Sequence, residues 1–132
     1  MTVQFSTAVR NAQDDIIETT IGTGPTLELR TGAQPANCAA AATGTVVASL
    51  TLPADWMGNA SGGVKALLGS WTGTAAATGT PAHYRITQAG VCHMQGSVTA
   101  TGGGGNVTID NVNIVSGQTV TISTFSMTEG NA

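Results

Sequence analysis

Apolar and polar positions along this chain follow two periods. Between Ser6 and Thr20, apolar or small residues recur at Ala8, Val9, Ala12, Ile16 and Ile17, a spacing of three and four that predicts one helix. Ser6 is placed to cap its start and Gly22 to end it. Arg10 and Asp14 stand four apart and are expected to pair on its outer face. After Gly22 the period falls to two, which predicts strands with one buried face. Thr26 to Thr31 places Leu27 and Leu29 on one side and Glu28 and Arg30 on the other. Gly32 to Thr43 carries neither period and reads as a loop. Thr45 to Leu52 sets Val46, Ala48, Leu50 and Leu52 on a shared face, and Pro53 ends that strand. Asp55 to Met57 reads as a turn or a single helical turn in which Trp56 plugs one end of the core. One strand is expected around Ala66 to Thr74, running into a small-residue stretch that is either a loop or a strand too crowded for large side chains.

Two later segments predict register. In Ala82 to Val98, keeping Tyr84 and Ile86 inside together with Cys92, Met94 and Val98 sets Ile86 opposite Cys92 and Tyr84 opposite Met94. Gln88, Ala89 and Gly90 then form a three-residue hairpin loop, and His83, Arg85, His93 and Gln95 gather on the outer face. From Gly102 to Thr128 the apolar face changes parity twice: Val107 and Ile109 are odd, Val112, Ile114, Val120 and Ile122 even, Phe125 and Met127 odd. That predicts a three-stranded meander with a turn or bulge at Asp110-Asn111, a turn at Ser116-Gly117 and a bulge at Ser123-Thr124. The expected fold is therefore mainly β: a single antiparallel β-sandwich or barrel-like domain over residues 23–132, preceded by an N-terminal helix or arm over residues 1–22.

Composition sharpens this picture. Among 132 residues there are four basic and seven acidic ones, against 22 threonines and 18 glycines. Such a chain suits strands with polar, nearly uncharged outer faces joined by tight turns. Arg10, Arg30, Lys65 and Arg85 are scattered, so no basic stripe is available for direct nucleic-acid binding. No apolar run approaches a membrane span, and Gln4, Ser6 and Arg10 interrupt what a signal peptide would need, so synthesis in the cytoplasm is expected. Cys38 and Cys92 lack redox or zinc spacing. Two buried thiols are the ordinary reading, and a disulfide is the alternative if the mature protein ends up outside a cell.

Candidate chemistry is sparse. The patch of His83, Arg85, His93 and Gln95 lacks a carboxylate to orient an imidazole and a third metal ligand, so an exposed polar face suited to partner recognition is the preferred reading over a small hydrolase or metal enzyme. Gly102 to Gly105 lacks the Lys-Ser/Thr ending of a phosphate loop. Asp14-Asp15 and Asp110 with its flanking asparagines do not form a calcium ladder. No cofactor is expected. Partner-facing roles fall to Arg10, Asp14, His83, Arg85, His93 and Gln95.

The segments VRNAQDDIIETTIGTGPTLELRTGAQPANCAA from Val9, TLPADWM from Thr51, AHYRI from Ala82, CHMQGSV from Cys92 and the closing IDNVNIVSGQTVTISTFSMTEGNA resemble a family of small structural proteins of tailed bacteriophages and prophages. The resemblance spans nearly the whole chain and implies a virion component without naming a functional residue. A capsid decoration or cement protein, homo-oligomeric and bound to the major capsid protein or other virion proteins, is the leading expectation, and a neck or tail component the nearest variant. A carbohydrate-binding, adhesin-like β-sandwich that stacks sugars on Trp56, Trp71 or Tyr84 is the reading from another class.

Overall fold

The computed structural model describes residues 3–129. Helix α1 (Thr7–Ile21) begins where the sequence places its cap: Ser6 has extended backbone and its side chain accepts a hydrogen bond from Val9 N–H. It ends at Gly22, whose positive φ of 95° closes the last turn as its N–H donates to the Glu18 carbonyl. Eight strands follow: β1 (Thr26–Arg30), β2 (Val46–Thr51), β3 (Val64–Ala66), β4 (Thr72–Thr74), β5 (His83–Gln88), β6 (Val91–Ala100), β7 (Val107–Ile109) and β8 (Thr119–Thr128). The protein is mainly β with one N-terminal helix, as the two periods require.

The strands join in the order β2-β1-β5-β6-β7-β8-β3, with β4 on β8 beside β3. This sheet curls into a half-barrel. Its ends meet at β4 and β2 through the bridge Ala48–Ala75, and the Val47 carbonyl accepts from the N–H groups of Ala76 and Ala77. The approach requires small residues, since a Cβ on Gly73 would lie 3.1 Å from the Leu50 side chain. The single strand expected over Ala66 to Thr74 is two, because the chain breaks between them to send Trp71 into the core.

One pair departs from the expected antiparallel pattern. β6 and β7 run parallel, with Val98 beside Val107 and Ala100 beside Ile109. Parallel neighbours ordinarily need a long crossover. Here Gly103 and Gly105 press against Thr99 so closely that a Cβ on either would come within 2.8 Å of its side chain or backbone. Gly105 N–H donates to Thr99 Oγ1, and the Asn106 side chain accepts from Ser97 N–H. The glycine run is therefore a connection folded back on its own strand. Val112 to Ile114 is no strand of a meander; Ile114 makes one bridge, to Gly79, and β7 pairs β8 directly. The bulge at Ser123-Thr124 is present: Thr108 faces Thr124 and Ile109 faces Ile122, leaving Ser123 over.

Apolar side chains from all sides fill the interior, including Leu27, Leu29, Leu50, Ile86, Ile109 and Ile122. At its centre the rings of Trp56, Trp71 and Phe125 pack in sequence at tilted angles, with centroids 5.9 and 5.2 Å apart, and Tyr84 meets Phe125 edge-on at 5.9 Å. Each such pair adds about 0.5–1.5 kcal/mol to the burial of its rings. The indole N–H groups are satisfied too: Trp71 donates to the Trp56 carbonyl and Trp56 to the Gly22 carbonyl, tying the helix end to the core.

Candidate functional site

The hairpin expected to present a polar face is built differently and covered. Its loop has two residues, Ala89 and Gly90, with φ of 51° and 80°, and Gln88 pairs with Val91. A bulge at His93 then restores the apolar register, so Ile86 faces Met94 and Tyr84 faces Gly96, correcting both expected pairs. Gly96 is required there, because a Cβ would stand 2.7 Å from the Tyr84 ring. Cys92 lies opposite Thr87, away from the core, and is bonded to Cys38. The disulfide reading of the two cysteines therefore holds in the structure, in place of two buried thiols.

The segment Thr31 to Thr45 folds over the outer face of β1, β5 and β6. Its neck is closed by Thr31 N–H donating to the Thr45 carbonyl and Thr45 N–H donating to Thr31 Oγ1. Three residues expected to face a partner face this loop instead. Arg85 donates to the carbonyls of Cys38 (2.7 Å) and Ala40 (3.1 Å), Gln95 to the Pro35 carbonyl, and His83 Nδ1 lies 3.0 Å from the Gly32 carbonyl. His83 and Arg85 are 1 and 4 % exposed. They are the internal anchors of the loop, whose carbonyls need donors. His93, displaced by the bulge, lies apart from them in a groove formed with Ile16, Ile17, Thr20 and Ile21. Among the described residues no group of three His, Cys, Asp or Glu side chains is placed to hold a metal ion.

The helix is oriented by its charges. Lys65, the buried centre of β3, donates to Asp15 at 2.7 Å, to the Gly58 carbonyl at 2.9 Å, and pairs with Glu18 at 2.8 Å. Backbone N–H groups of the Met57 to Gly63 segment complete the seam: Met57 donates to Glu18, Ala60 to Asp15 and Gly63 to Asn11. Arg10 reaches the Glu129 carbonyl and Thr7. Asp14 does not lie on the outer face, nor does it pair with Arg10; it is fully buried, and among the described residues neither carboxylate oxygen has a hydrogen-bond partner. Burial, then the neighbouring charges of Glu129 and Asp15, push its pKa up. The hydrogen bond from Lys65, then that from Ala60, hold Asp15 below the ordinary carboxylate value. Burial alone would lower the Lys65 ammonium, yet its bonds to Asp15 and Glu18 outweigh it and raise the pKa.

The apolar stripe consequently points outward. Val9 and Ile16 are 44 and 58 % exposed, Ala8 and Ala12 lie exposed beside them, and Phe5 extends the row just before the cap. Only Ile17 and Ile21 turn to the core. Arg10, Asp14 and Glu18, four apart, form an equally regular polar row, which was the signal in the sequence for the opposite orientation. Comparison with protein-family models, curated proteins and solved structures finds no match to this chain.

Proposed function

We propose that this protein is an accessory structural protein of a bacteriophage virion, a decoration protein that docks on the capsid lattice through its N-terminal helix. The observation that carries the reading is the inversion of α1: polar side chains are spent on Lys65 and the Met57 to Gly63 amides, while Phe5, Val9, Ala12 and Ile16 are left to solvent. A contiguous apolar row on a water-facing helix, free of charge, has the character of an interface core. The resemblance of the chain to phage structural proteins supplies the particle.

A helix of this length is about 22 Å long, so one face buries far less than the area of a stable pairwise complex. The contact is weak singly, and it gains strength on a symmetric lattice where neighbouring copies also touch one another and so bind as a linked set. The surrounding surface is suited to this, since threonine-rich strand faces with few ions cost little to desolvate. A sugar-binding reading lacks its platforms, because Trp56, Trp71 and Tyr84 are at most 3 % exposed. Mass spectrometry of purified particles tests the proposal: the chain is expected in many copies per particle, and its absence from mature virions overturns the reading.

A further inference from the structure

Between the outer face of β1 and β5 and the covering loop lies a cleft of about 430 Å³ that the docking helix does not use. Its walls carry Glu28, Arg30 and Arg85, with Ala40 and the Cys38–Cys92 disulfide on the loop side and Gly90 at the hairpin turn. Two of the chain's four basic residues thus meet in one polar recess of a protein whose net charge is −3.

The charges do not cancel. Glu28 and Arg85 are cross-strand neighbours, yet the Glu28 carboxylate is turned to Arg30, 3.1 Å from its Nη2. Among the described residues Arg85 has no carboxylate within ion-pair distance. A guanidinium carries five N–H donors. Arg85 spends two through Nη2 on the carbonyls of Cys38 and Ala40, while its Nη1, which is not among the buried atoms, makes no hydrogen bond among the described residues. A largely buried cation with free donors left at a cavity wall offers an anion a place to complete it.

We propose that this cleft is a binding site for a carboxylate. One excess positive charge matches one negative charge; a dianion such as phosphate is attracted more strongly but loses far more hydration on entering a partly closed recess, which favours the monoanion. Planar guanidinium donors suit carboxylate oxygens, and the volume admits a ligand of several heavy atoms. The disulfide fixes the wall that holds Arg85, so the donors are in position before the ligand arrives.

NMR titration of the intact, oxidised protein, following the Arg85 Nε–H resonance and the amides of Cys38 to Ala42, tests this. Two probes separate the sources of a carboxylate: acetate stands for a free small molecule, and a peptide capped at both ends with one Glu stands for an acidic side chain of another protein. Saturable shifts at Arg85 with either probe, and weaker ones with inorganic phosphate, are expected. Glu28→Gln keeps Arg85 in place and is expected to tighten binding about fivefold, the size of one charge interaction across a surface cleft. Arg85→Gln is expected to abolish the shifts at the loop amides. The proposal is overturned if sodium chloride at equal ionic strength gives the same shifts, if the response stays linear with both probes, or if Glu28→Gln leaves the affinity unchanged.

Discussion

Lys65 and Asp15 meet at 2.7 Å across the seam between sheet and helix, and they do so unequally: Lys65 is 2 % exposed, whereas the side chain of Asp15 is 48 % exposed. The cation is the buried member, placed on a strand only three residues long, and two helix carboxylates come to it. This decides which face of α1 turns inward. Lys65→Met is therefore expected to lower unfolding stability by about 2 kcal/mol, as when a charge-assisted hydrogen-bond set is removed. It should also reduce the far-ultraviolet helical signal, because a short helix without its anchor frays. Urea titration and circular dichroism on the same samples check both.

The pH range of this seam follows from its members. Lys65 has a raised pKa, so its contribution is complete below the ordinary lysine value and is lost as pH rises through the raised one. Asp15 has a lowered pKa, so its contribution is present above the ordinary aspartate value and is lost as pH falls through the lowered one. The helix is expected to stay docked across the whole interval between, with loss only at the two extremes. Asparagine or valine amide exchange within α1, followed against pH, gives the profile.

Asp14 acts in the opposite sense. Its carboxylate is buried without a hydrogen-bond partner among the described residues and its pKa is raised, so the folded state holds a proton more readily than the unfolded one. Its penalty is absent below the ordinary aspartate value and grows as pH rises through the raised one. Asp14→Asn is expected to stabilise the protein by roughly 1 kcal/mol at neutral pH and to make no difference at about pH 3. Equal gains at both values would show that the charge is not the cause.

The Cys38–Cys92 bond spans 54 residues of sequence and holds the covering loop over His83, Arg85 and Gln95. A closed loop of that length restricts the unfolded chain by about 4 kcal/mol in the chain-entropy account. The double Cys→Ser variant is expected to lose most of that in urea titration. Limited proteolysis should then cut between Gly32 and Thr43 at conditions where the oxidised protein is intact.

Much of this fold was legible in the residue pattern, and the exceptions share a cause. The helix bounds followed from Ser6 and Gly22, and the β8 bulge from the parity change between Ile122 and Phe125. Both are local signals. The hairpin register was missed because a bulge at His93 lets a two-residue turn keep both apolar sets inside, an option that alternation alone does not reveal. His83 and Arg85 looked like surface groups because their cover is a loop forty or more positions upstream. The orientation of α1 depended on Lys65, fifty positions from Asp15. In each case the deciding partner was remote in sequence, and no period carries that information.

Gly96 tests the packing beneath that hairpin. A Cβ there would lie 2.7 Å from Tyr84 Cε1 and 2.7 Å from Asn106 Oδ1, and neither neighbour is free to move: Tyr84 is packed on Phe125, and Asn106 holds Ser97. Gly96→Ala is expected to cost about 1–3 kcal/mol as an overpacked core position. A smaller loss would mean that the Tyr84 ring can tilt away from β6, and the near-ultraviolet tyrosine signal would report it.

Ile16 separates folding from docking. It is 58 % exposed and belongs neither to the core nor to the residues packed against it, so Ile16→Lys disturbs only the open groove beside His93 and is expected to change stability by no more than about 0.5 kcal/mol. The same change puts a cation in the middle of the apolar row formed with Val9 and Ala12, where docking on another protein would have to desolvate it. If the helix is the docking element, particles assembled with the variant should carry at most a few per cent of the normal copy number, because a small loss at each contact is multiplied by repetition. Ile17→Lys is the counterpart: Ile17 packs on the core, so it should unfold the helix seam and lose occupancy for a different reason. A stable Ile16→Lys protein at normal occupancy would move the docking surface away from α1, to the strand faces or the loops.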